Sequence, residues 1–445
     1  MERFAEAVLA GASGTELAPI PIPGPCRAAL VRRDETEMFV GLLSTGKDPR
    51  RSSYVEEVAT PELAPDECHV AVMAGAVSFN TVRSSIFEPL ATSGFPERLG
   101  REDHCRRRHD LPGHVVGSDA AGVVGAGPAV RNRHPGDKAA AHCNYVDPED
   151  PQSHDDAMPA SEERIWGYET SFGGLADLTV NRATQLMGRP AHLSWEEAAA
   201  NTLCSSTSYR MLVGRSRARM RQGDVVLVWG ATGGLGGHAV QHVLNGGGIP
   251  VGVVSSPANA KLLEALGCEA AIDRSAAACR FWSDEHIRDE AERRRLGRDI
   301  RSLVGDDPGI VLEHPGRQTM GAPVFVAKRG GTIVTCAASS GHMIEYDNRH
   351  LGTGLKTIKS SHLANCNEAW EADRLAACGR VRPSLSVVHP LSEVGEAAVQ
   401  VHSDQHEGKA GVRCLAPENG LGTDGPSLRE EIGEDKITVF RRTGR

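Results

Sequence analysis

The pattern of hydrophobic positions changes character near residue 225. Before it, apolar runs such as 69–79 (HVAVMAGAVSF) and 112–130 alternate with polar positions or are interrupted by glycine, which predicts strands of a mostly β domain. After it, short apolar runs alternate with helical patterns, which predicts an α/β fold with a doubly wound parallel sheet. The strands predicted for this sheet are 225–229, 249–256, 270–273, 309–316 and 329–337.

Other segments have simpler interpretations. Residues 1 to about 50 are predicted to form an extended arm, and the polar, Pro/Asp-rich segment 146–165 a surface loop or lid. Ser194 followed by Glu197 is a capping box, which predicts that a helix begins there. The densely charged segment 281–303 is compatible with a patch that binds acids, but its mixed signs favour a solvated helical face.

The same patterns predict the domain organisation. The strand and helix alternation stops near residue 362, and the last apolar strand pattern, HEGKAGVRCLAP, suits a return to the first domain. We therefore predict an arm and β-rich domain in 1–212, a nucleotide-binding domain in 213–361 and a C-terminal return in 362–445.

A glycine turn follows the first strand of the parallel sheet. Gly230, Gly233 and Gly236 stand at three-residue steps between VVLVW and a helical pattern. Glycine lets the backbone approach a pyrophosphate, and the free N–H groups of the helix start hold the anion. A tight structural turn is the alternative. The residues predicted to contact the cofactor are Gly230, Thr232, Gly233, Gly234, Leu235, Ser255, Ser256, Lys261, Arg274, His314 and Cys336.

The second strand of the unit indicates which cofactor binds. It ends in Ser255 and Ser256, and Lys261 lies one turn into the next helix. In an NAD site, the end of this strand carries a carboxylate that binds the ribose 2′-hydroxyl. Hydroxyls and a lysine suit a 2′-phosphate, so the sequence predicts NADPH. The alternative is that Lys261 is an ordinary surface lysine.

Composition excludes several classes of protein. The 445 residues carry a formal net charge of −9, so nucleic-acid binding is not expected. The 11 cysteines form no CxxC pair, which argues against a zinc ribbon or a disulfide framework. The N-terminus lacks the pattern of a signal peptide, and no apolar stretch is long enough to span a membrane, so a cytoplasmic protein is expected.

The architecture resembles the medium-chain dehydrogenase/reductase superfamily, which pairs a β-rich GroES-like catalytic domain with a nucleotide-binding domain. Its alcohol dehydrogenases hold zinc with a Cys and with the His of a GHE motif, where this chain has Ser78 and Gly117–Ser118–Asp119. No zinc or other metal is therefore expected. His104, His109 and His114 are compatible with a metal cluster, but a polar loop is favoured because no cysteine ligand accompanies them.

Longer segments resemble the crotonyl-CoA carboxylase/reductases. The segments are SFNTVRSSIFEPL, RHDLPGHVVGSDAAGVV, RIWGYETSFGGLADL, GIVLEHPGRQTMGAPVFVAKRGGTIVTCA, GHMIEYDNRHL and SSHLANCNEAWEADRL, within about residues 28–420. The resemblance implies that NADPH reduces a 2-enoyl-CoA at the β-carbon and that the resulting enolate attacks CO2. The product is an alkylmalonyl-CoA such as ethylmalonyl-CoA, a CO2-fixing reaction that can provide polyketide extender units.

The same resemblance implies a CO2 pocket made of Asn80, Tyr168, Glu169 and His362. By motif, Asn80 and His362 donate to CO2, Glu169 holds a water or orients His362, and the Tyr168 ring shields the reacting carbon. Taken singly, Asn80 and His362 are better explained as structural polar residues. The surrounding motifs favour the functional interpretation instead.

Two more expectations concern the substrate and the assembly. Arg349 and Lys356 are candidates for the phosphates of CoA, with ordinary surface charge as the alternative. The small residues in 351–354 suggest a pocket for acyl chains longer than crotonyl. The family forms dimers or tetramers through the nucleotide-binding domain, and the run GGTIVTCAA suits a sheet continued between subunits.

Two alternatives to the carboxylase remain open at this point. One is a plain NADPH-dependent enoyl-CoA or quinone reductase. The other is a non-catalytic NADPH-binding protein, which would have no need for Asn80, Glu169 and His362 together.

Overall fold

The structure is a computed structural model that describes residues 2–22, 24–102, 106–127, 130–275, 281, 287 and 289–441. Its α-helices are α1 (Glu2–Leu9), α2 (Gly14–Leu17), α3 (Phe79–Ile86), α4 (Gly94–Glu102), α5 (Trp195–Val213), α6 (Gly234–Asn245), α7 (Pro257–Leu266), α8 (Glu290–Val304), α9 (Gly321–Val326), α10 (Asn348–Thr353), α11 (Cys366–Ala377), α12 (Val394–His402), α13 (Pro426–Ile432) and α14 (Glu434–Ile437).

The strands precede, separate and follow these helices. They are β1 (Pro25–Arg32), β2 (Tyr54–Ala59), β3 (Glu67–Val77), β4 (Gly113–Val115), β5 (Ala120–Ala126), β6 (Lys138–Ala141), β7 (Asn144–Tyr145), β8 (Arg164–Ile165), β9 (Leu178–Arg182), β10 (Leu186–Gly188), β11 (Val225–Val228), β12 (Ile249–Val254), β13 (Ala270–Asp273), β14 (Ile310–Glu313), β15 (Thr332–Thr335), β16 (Thr357–Ser360), β17 (Leu385–Pro390) and β18 (Lys409–Arg413).

A six-stranded parallel sheet has the order β13-β12-β11-β14-β15-β16. Val226 and Val228 of β11 pack into one hydrophobic core, and Val225 and Leu227 pack into another on the opposite face. Burial on both faces is why these strands are continuously apolar in sequence. Because the strand order reverses between β11 and β14, a ligand crevice lies at the carboxyl ends of those two strands. The expected doubly wound sheet is confirmed.

A second sheet is built around β3, which is buried along its whole length. Its main order is β10-β6-β5-β3-β18-β17, and β9 also pairs with β3. Since β17 and β18 come from the end of the chain, the C-terminal segment does return to the first domain. The domain limits 1–212, 213–361 and 362–445 stay a prediction, because the strand pairing does not define them to the residue.

The prediction of an extended N-terminal arm was wrong. The first residues form α1 and α2, and Phe4 and Leu17 are buried in a core that also contains Met73 of β3. The proline-rich stretch near residues 19–25 suggested an extended arm, but the apolar side chains before it attach the segment to the sheet.

The parallel sheet extends one strand further than the apolar pattern indicated. Its last strand, β16, pairs with β15 and is half exposed. Its sequence is therefore partly polar and lacks the apolar pattern of the other strands. The run GGTIVTCAA forms the interior strand β15 and not an edge, so the expectation that it continues the sheet between subunits was wrong.

The charged segment is mostly the solvated helix α8, as expected, although residues 282–286 and 288 lie outside the described residues. One exception is Arg293, which is fully buried on the inner face of α8 with Leu296 and Ile300. The segment 146–165 lacks long elements, as a loop should, and ends in the short strand β8.

Two glycines of the turn after β11 differ sharply in the space around them. A Cβ on Gly236 would lie 2.1 Å from the Gly230 carbonyl oxygen, whereas a Cβ on Gly233 would lie 3.4 Å from it. Gly230 itself has φ +56°, so it turns the chain in the left-handed region.

We therefore expect Gly236→Ala to destabilise the protein by about 1–3 kcal/mol, because its methyl group must push the turn away from the helix. Thermal unfolding measures the effect. Gly233→Ala is the matched control and is expected to unfold like the unsubstituted protein. Equal stability of the two variants would contradict the close packing of Gly236 against the Gly230 carbonyl.

Candidate active site between the two sheets

The glycine turn presents the features of a phosphate cradle. Gly233 is the N-cap of α6, so the first N–H groups of that helix face the crevice. A Cβ on Gly230 would lie 2.8 Å from Nε2 of His314, so only glycine fits opposite that ring. Nε2 of His314 lies 2.9 Å from the Trp229 carbonyl oxygen, and burial lowers the pKa of His314, so the ring is neutral and donates this bond. These residues fit a dinucleotide.

The other predicted cofactor residues lie around the same crevice. Leu235 is half-buried on α6, and the Thr232 carbonyl accepts from the N–H of Gly408 at 2.8 Å. Burial raises the pKa of the Cys336 thiol to about 12, which keeps it uncharged at the end of β15. Gly234 is packed against the C-terminal return, since its Cβ would meet Cγ of Lys409 at 2.8 Å.

Near the end of β12, the residues predicted to bind a 2′-phosphate differ in exposure and in the contacts they already make. Ser256 caps α7, its Oγ accepting from the Asn259 N–H at 3.2 Å. The side chain of Ser255 is exposed and accepts from Nδ2 of Asn259 at 3.1 Å. Lys261 and Arg274 are exposed, and Nη2 of Arg274 lies 3.9 Å from Oδ2 of Asp404. Ser255, Lys261 and Arg274 therefore remain able to bind an added anion.

A buried ion pair occupies the region where the zinc ligands of alcohol dehydrogenases were sought. Nζ of Lys409 pairs with Oδ2 of Asp119, and both side chains are buried. Ser78 bridges them: its Oγ donates to Asp119 at 2.7 Å and accepts from Lys409 at 2.8 Å. In the part of the chain that the structure describes, no group of three His, Cys, Asp or Glu side chains is placed to hold a metal ion. His104 lies outside the described residues.

The other two histidines of that sequence cluster are buried. Nδ1 of His114 lies 2.9 Å from Oγ1 of Thr92, and its Nε2 lies 3.1 Å from the Thr170 carbonyl. Burial lowers the pKa of His114 to about 4 and that of His109 to about 3, so both rings are neutral and structural.

The four residues expected to form the CO2 pocket are linked through a chain of contacts. Asn80, at the start of α3, donates from Nδ2 to Oγ of Ser118 at 3.4 Å. The neighbouring Gly117 N–H donates to the Gly167 carbonyl at 3.2 Å, which joins this segment to Tyr168. The Tyr168 ring is half-buried, 5.9 Å from the Phe95 ring. Burial raises the pKa of the Tyr168 hydroxyl, so it stays protonated.

Glu169 and His362 are close enough to interact electrostatically, and both act on a third titratable residue, Glu163. Oε2 of Glu169 accepts from the Ile165 N–H at 2.8 Å. Nε2 of His362 lies 3.7 Å from Oε2 of Glu163. The His362 side chain is 50% exposed, so its burial is only partial. This partial burial lowers the pKa of His362, and the negative charge of Glu169 opposes that effect. The ring is therefore neutral and has one N–H to donate.

An arginine from α5 fixes the segments that carry these groups. Arg210 is fully buried and donates to Oδ1 and Oδ2 of Asp156 at 3.0 and 2.7 Å, and to Oε2 of Glu368 at 2.6 Å. Asp156 belongs to the loop that leads to Glu163, and Glu368 caps the helix that follows His362. A bidentate pair of this kind holds both segments in one geometry.

The residues predicted to bind CoA are engaged elsewhere. Nζ of Lys356 donates to the carbonyls of Val324 and Phe325 at 2.7 and 3.0 Å, which closes the end of α9. Arg349 is exposed and pairs with Asp347 at 2.7 Å. Residues 351–354 lie at the end of α10, in the nucleotide-binding part of the chain. These contacts do not favour a CoA role for Lys356, and the roles of Arg349 and of 351–354 stay predictions.

Comparisons with known proteins identify the family. No protein-family model matches the chain. It is 52% identical over 432 residues to crotonyl-CoA reductase of Streptomyces collinus, an alignment that covers 97% of this chain and 96% of that protein. It is 35% identical over 386 residues to crotonyl-CoA carboxylase/reductase of Cereibacter sphaeroides, covering 84% and 87%. The chain belongs to the crotonyl-CoA carboxylase/reductase family. The resemblance read from the motifs is thereby confirmed.

A solved structure supports the same assignment. The 2-octenoyl-CoA carboxylase reductase in complex with NADP and 2-octenoyl-CoA superimposes with a TM-score of 0.94, at 46% identity and with 98% of both chains covered. The medium-chain dehydrogenase/reductase fold and the expected class, an NADP-dependent oxidoreductase, are confirmed. In the described residues, no helix is long and apolar enough to cross a membrane.

Three residues of the site escaped the sequence analysis. Asp119 directly precedes the apolar strand β5 and Lys409 begins β18. A charge at the start of a buried strand is a signal that a buried partner exists. Glu163 stands among other charged residues in SEERI, and only its closeness to Tyr168 and Glu169 in sequence hinted at the pocket.

The exposed Arg274 provides a test of the cofactor site. Arg274→Met is expected to weaken NADPH binding by about 10–100-fold, because a hydrogen bond to a charged group contributes about 1.5–3 kcal/mol. The affinity for NADH should be unchanged, and fluorescence titration measures both. Arg301→Met, an exposed arginine on α8, is the matched control. An equal loss for both cofactors would contradict a contact with the 2′-phosphate.

Proposed function

We propose that the protein catalyses the NADPH-dependent reductive carboxylation of a 2-enoyl-CoA to an alkylmalonyl-CoA, in the cytoplasm. The observation that carries this proposal is the grouping of Asn80, Tyr168, Glu169 and His362 through one chain of contacts, in a chain of this family. A plain reductase needs the nucleotide crevice but not this group of donors and acceptors. The neighbouring 2-octenoyl-CoA enzyme supports an acyl chain of medium length.

The residues of the crevice would hold NADPH by its phosphates. The N–H groups at the start of α6 bind the pyrophosphate, and Ser255, Lys261 and Arg274 bind the 2′-phosphate. Bound NADPH supplies the hydride for the β-carbon of the enoyl thioester. The neutral His314 ring keeps the turn in place without adding a charge beside the phosphates.

Asn80, Tyr168, Glu169 and His362 would bind and orient CO2. CO2 is small and uncharged, so a few fixed donors must orient it next to the α-carbon. The amide of Asn80 and the N–H of the neutral His362 ring donate to its oxygens and stabilise the carboxylate as it forms. The half-buried Tyr168 covers the reacting carbon, which limits protonation of the enolate by water. Glu169, tethered to the Ile165 N–H, stays near His362, where its charge orients the ring or holds a water.

Product analysis tests this function directly. We expect the purified protein, given NADPH, crotonyl-CoA or 2-octenoyl-CoA and labelled bicarbonate with carbonic anhydrase, to form a labelled alkylmalonyl-CoA detectable by mass spectrometry. His362→Asn should lower the carboxylated share of the product while NADPH oxidation continues, because hydride delivery does not use that ring. Formation of only the saturated acyl-CoA would favour a plain reductase. Absence of any enoyl-dependent NADPH oxidation would favour a non-catalytic binding protein.

We also propose that the protein is a homodimer or a homotetramer that forms through β16. Among the described strands, β16 has a neighbour on one side only, β15. The N–H of Thr357 donates inward to the Gly331 carbonyl, so by strand alternation the N–H of Ile358 points outward. A second copy of this strand would pair these groups.

Ile358→Pro tests this arrangement. Proline removes the outward N–H and leaves the inward N–H groups that pair with β15, so pairing across the edge is lost. It also removes a side chain that packs on the core, so thermal unfolding is measured alongside to confirm that the variant is folded. Light scattering after size exclusion should report a smaller assembly than for Ile358→Val, the matched control. An unchanged mass would place the interface elsewhere.

A further inference from the structure

The carboxyl group of Glu163 lies in the wall of the proposed CO2 pocket. Its side chain is 7% exposed, and among the described residues Oε1 has no hydrogen-bond partner. Its other oxygen faces Nε2 of His362 at 3.7 Å, which is too long for a hydrogen bond and short enough to become one after a small rotation. Glu163 is thus a buried acid with one oxygen that has no hydrogen-bond partner in the described part of the chain and another that faces the imidazole proposed to bind CO2.

The charges around Glu163 determine its ionisation. Burial disfavours the carboxylate, and the negative charge of Glu169 in the same loop adds to that effect. Arg164 of the same loop and Arg210 of α5 act in the opposite direction. The result is a pKa for Glu163 of about 8. Since the pKa of His362 is lowered, both partners of the 3.7 Å contact are neutral at pH 7, and the contact is not an ion pair.

Resting on the function proposed above, we infer that Glu163 is a positioning residue for His362 that supports CO2 capture only as the protonated acid. The neutral carboxyl orients the imidazole by a hydrogen bond and leaves Glu169 as the one acidic charge of the pocket. Ionised Glu163 adds a second negative charge where a new carboxylate must form, and this repulsion opposes the step. The hydride step, which occurs at the β-carbon, does not depend on this group.

The share of enolate captured by CO2 is therefore expected to depend on pH. Between pH 7 and pH 9 the protonated fraction of a group with a pKa of about 8 falls about tenfold. The ratio of carboxylated to saturated product should fall by about the same factor. The measurement uses the full-length holoenzyme, with dissolved CO2 held constant at each pH. NADPH oxidation followed in parallel reports the hydride step.

Glu163→Gln replaces the acid by a neutral group of the same shape and should give a product ratio that is nearly constant over this range. Glu162→Gln is the matched control, because the adjacent Glu162 faces Arg106 at 2.7 Å rather than His362. It should retain the pH dependence of the wild type. A Glu163→Gln enzyme that titrates like the wild type, or a Glu162→Gln enzyme that loses the dependence equally, would overturn the role of Glu163.

Infrared spectroscopy provides a readout that does not need carboxylation. The difference spectrum between the wild type and Glu163→Gln should contain the C=O stretch of a protonated carboxyl group at pH 7, and this band should be lost by pH 9. Absence of the band at pH 7 would overturn the inference by itself. A band that titrates in a wild-type enzyme that never forms a carboxylated product would instead overturn the proposed function, and the role of Glu163 with it.

Discussion

The site depends on the buried ion pair between Asp119 and Lys409. Removing both charges from water costs several kcal/mol for each ion, so the pair persists because hydrogen bonds compensate both charged groups. Asp119 accepts from Lys409, from Ser78, from Oγ1 of Thr202 at 2.6 Å and from the Leu203 N–H at 2.9 Å. These donors come from the returning strand β18, from the start of α3 and from α5. One carboxylate thus fixes the elements that carry both halves of the site relative to one another.

The ion pair between Asp119 and Lys409 stays charged over a wide pH range. Burial alone would raise the pKa of Asp119, but Lys409 and the surrounding donors hold that pKa below its usual value. The same interaction raises the pKa of Lys409 despite its burial. The contribution of Asp119 is lost only as pH falls through its lowered pKa, and that of Lys409 only as pH rises through its raised pKa. The ion pair therefore keeps its charges around neutral pH, the range in which the carboxyl group of Glu163 titrates.

The sequence was informative where the chain repeats a pattern and uninformative where single side chains meet. The alternation of apolar strands and helices predicted the parallel sheet around β11, and the motif WGYET supplied two residues of the proposed CO2 pocket. The attachment of α1 was missed because the proline-rich stretch after it suggested an extended arm, although Phe4 and its apolar neighbours pack on the sheet. Lys356 was predicted to bind the phosphates of CoA, although its ammonium closes a helix end. The surroundings of Glu163 depend on a loop fixed by Arg210, about 50 residues away in the chain, and no local pattern encodes such a distance.

The hydrogen bond from Gly408 to Thr232 has a mechanical consequence. It belongs to a bridge between Gly233 and Gly408 that joins the main chain of the glycine turn to the base of β18. Gly408 precedes Lys409 directly, so neighbouring residues of one segment hold the glycine turn and the buried ion pair. On another part of the cleft, Nη2 of Arg83, in the last turn of α3, donates to the Ala338 carbonyl at 3.1 Å. The nucleotide-binding sheet is thus attached to the first domain both at its glycine turn and beyond the end of β15.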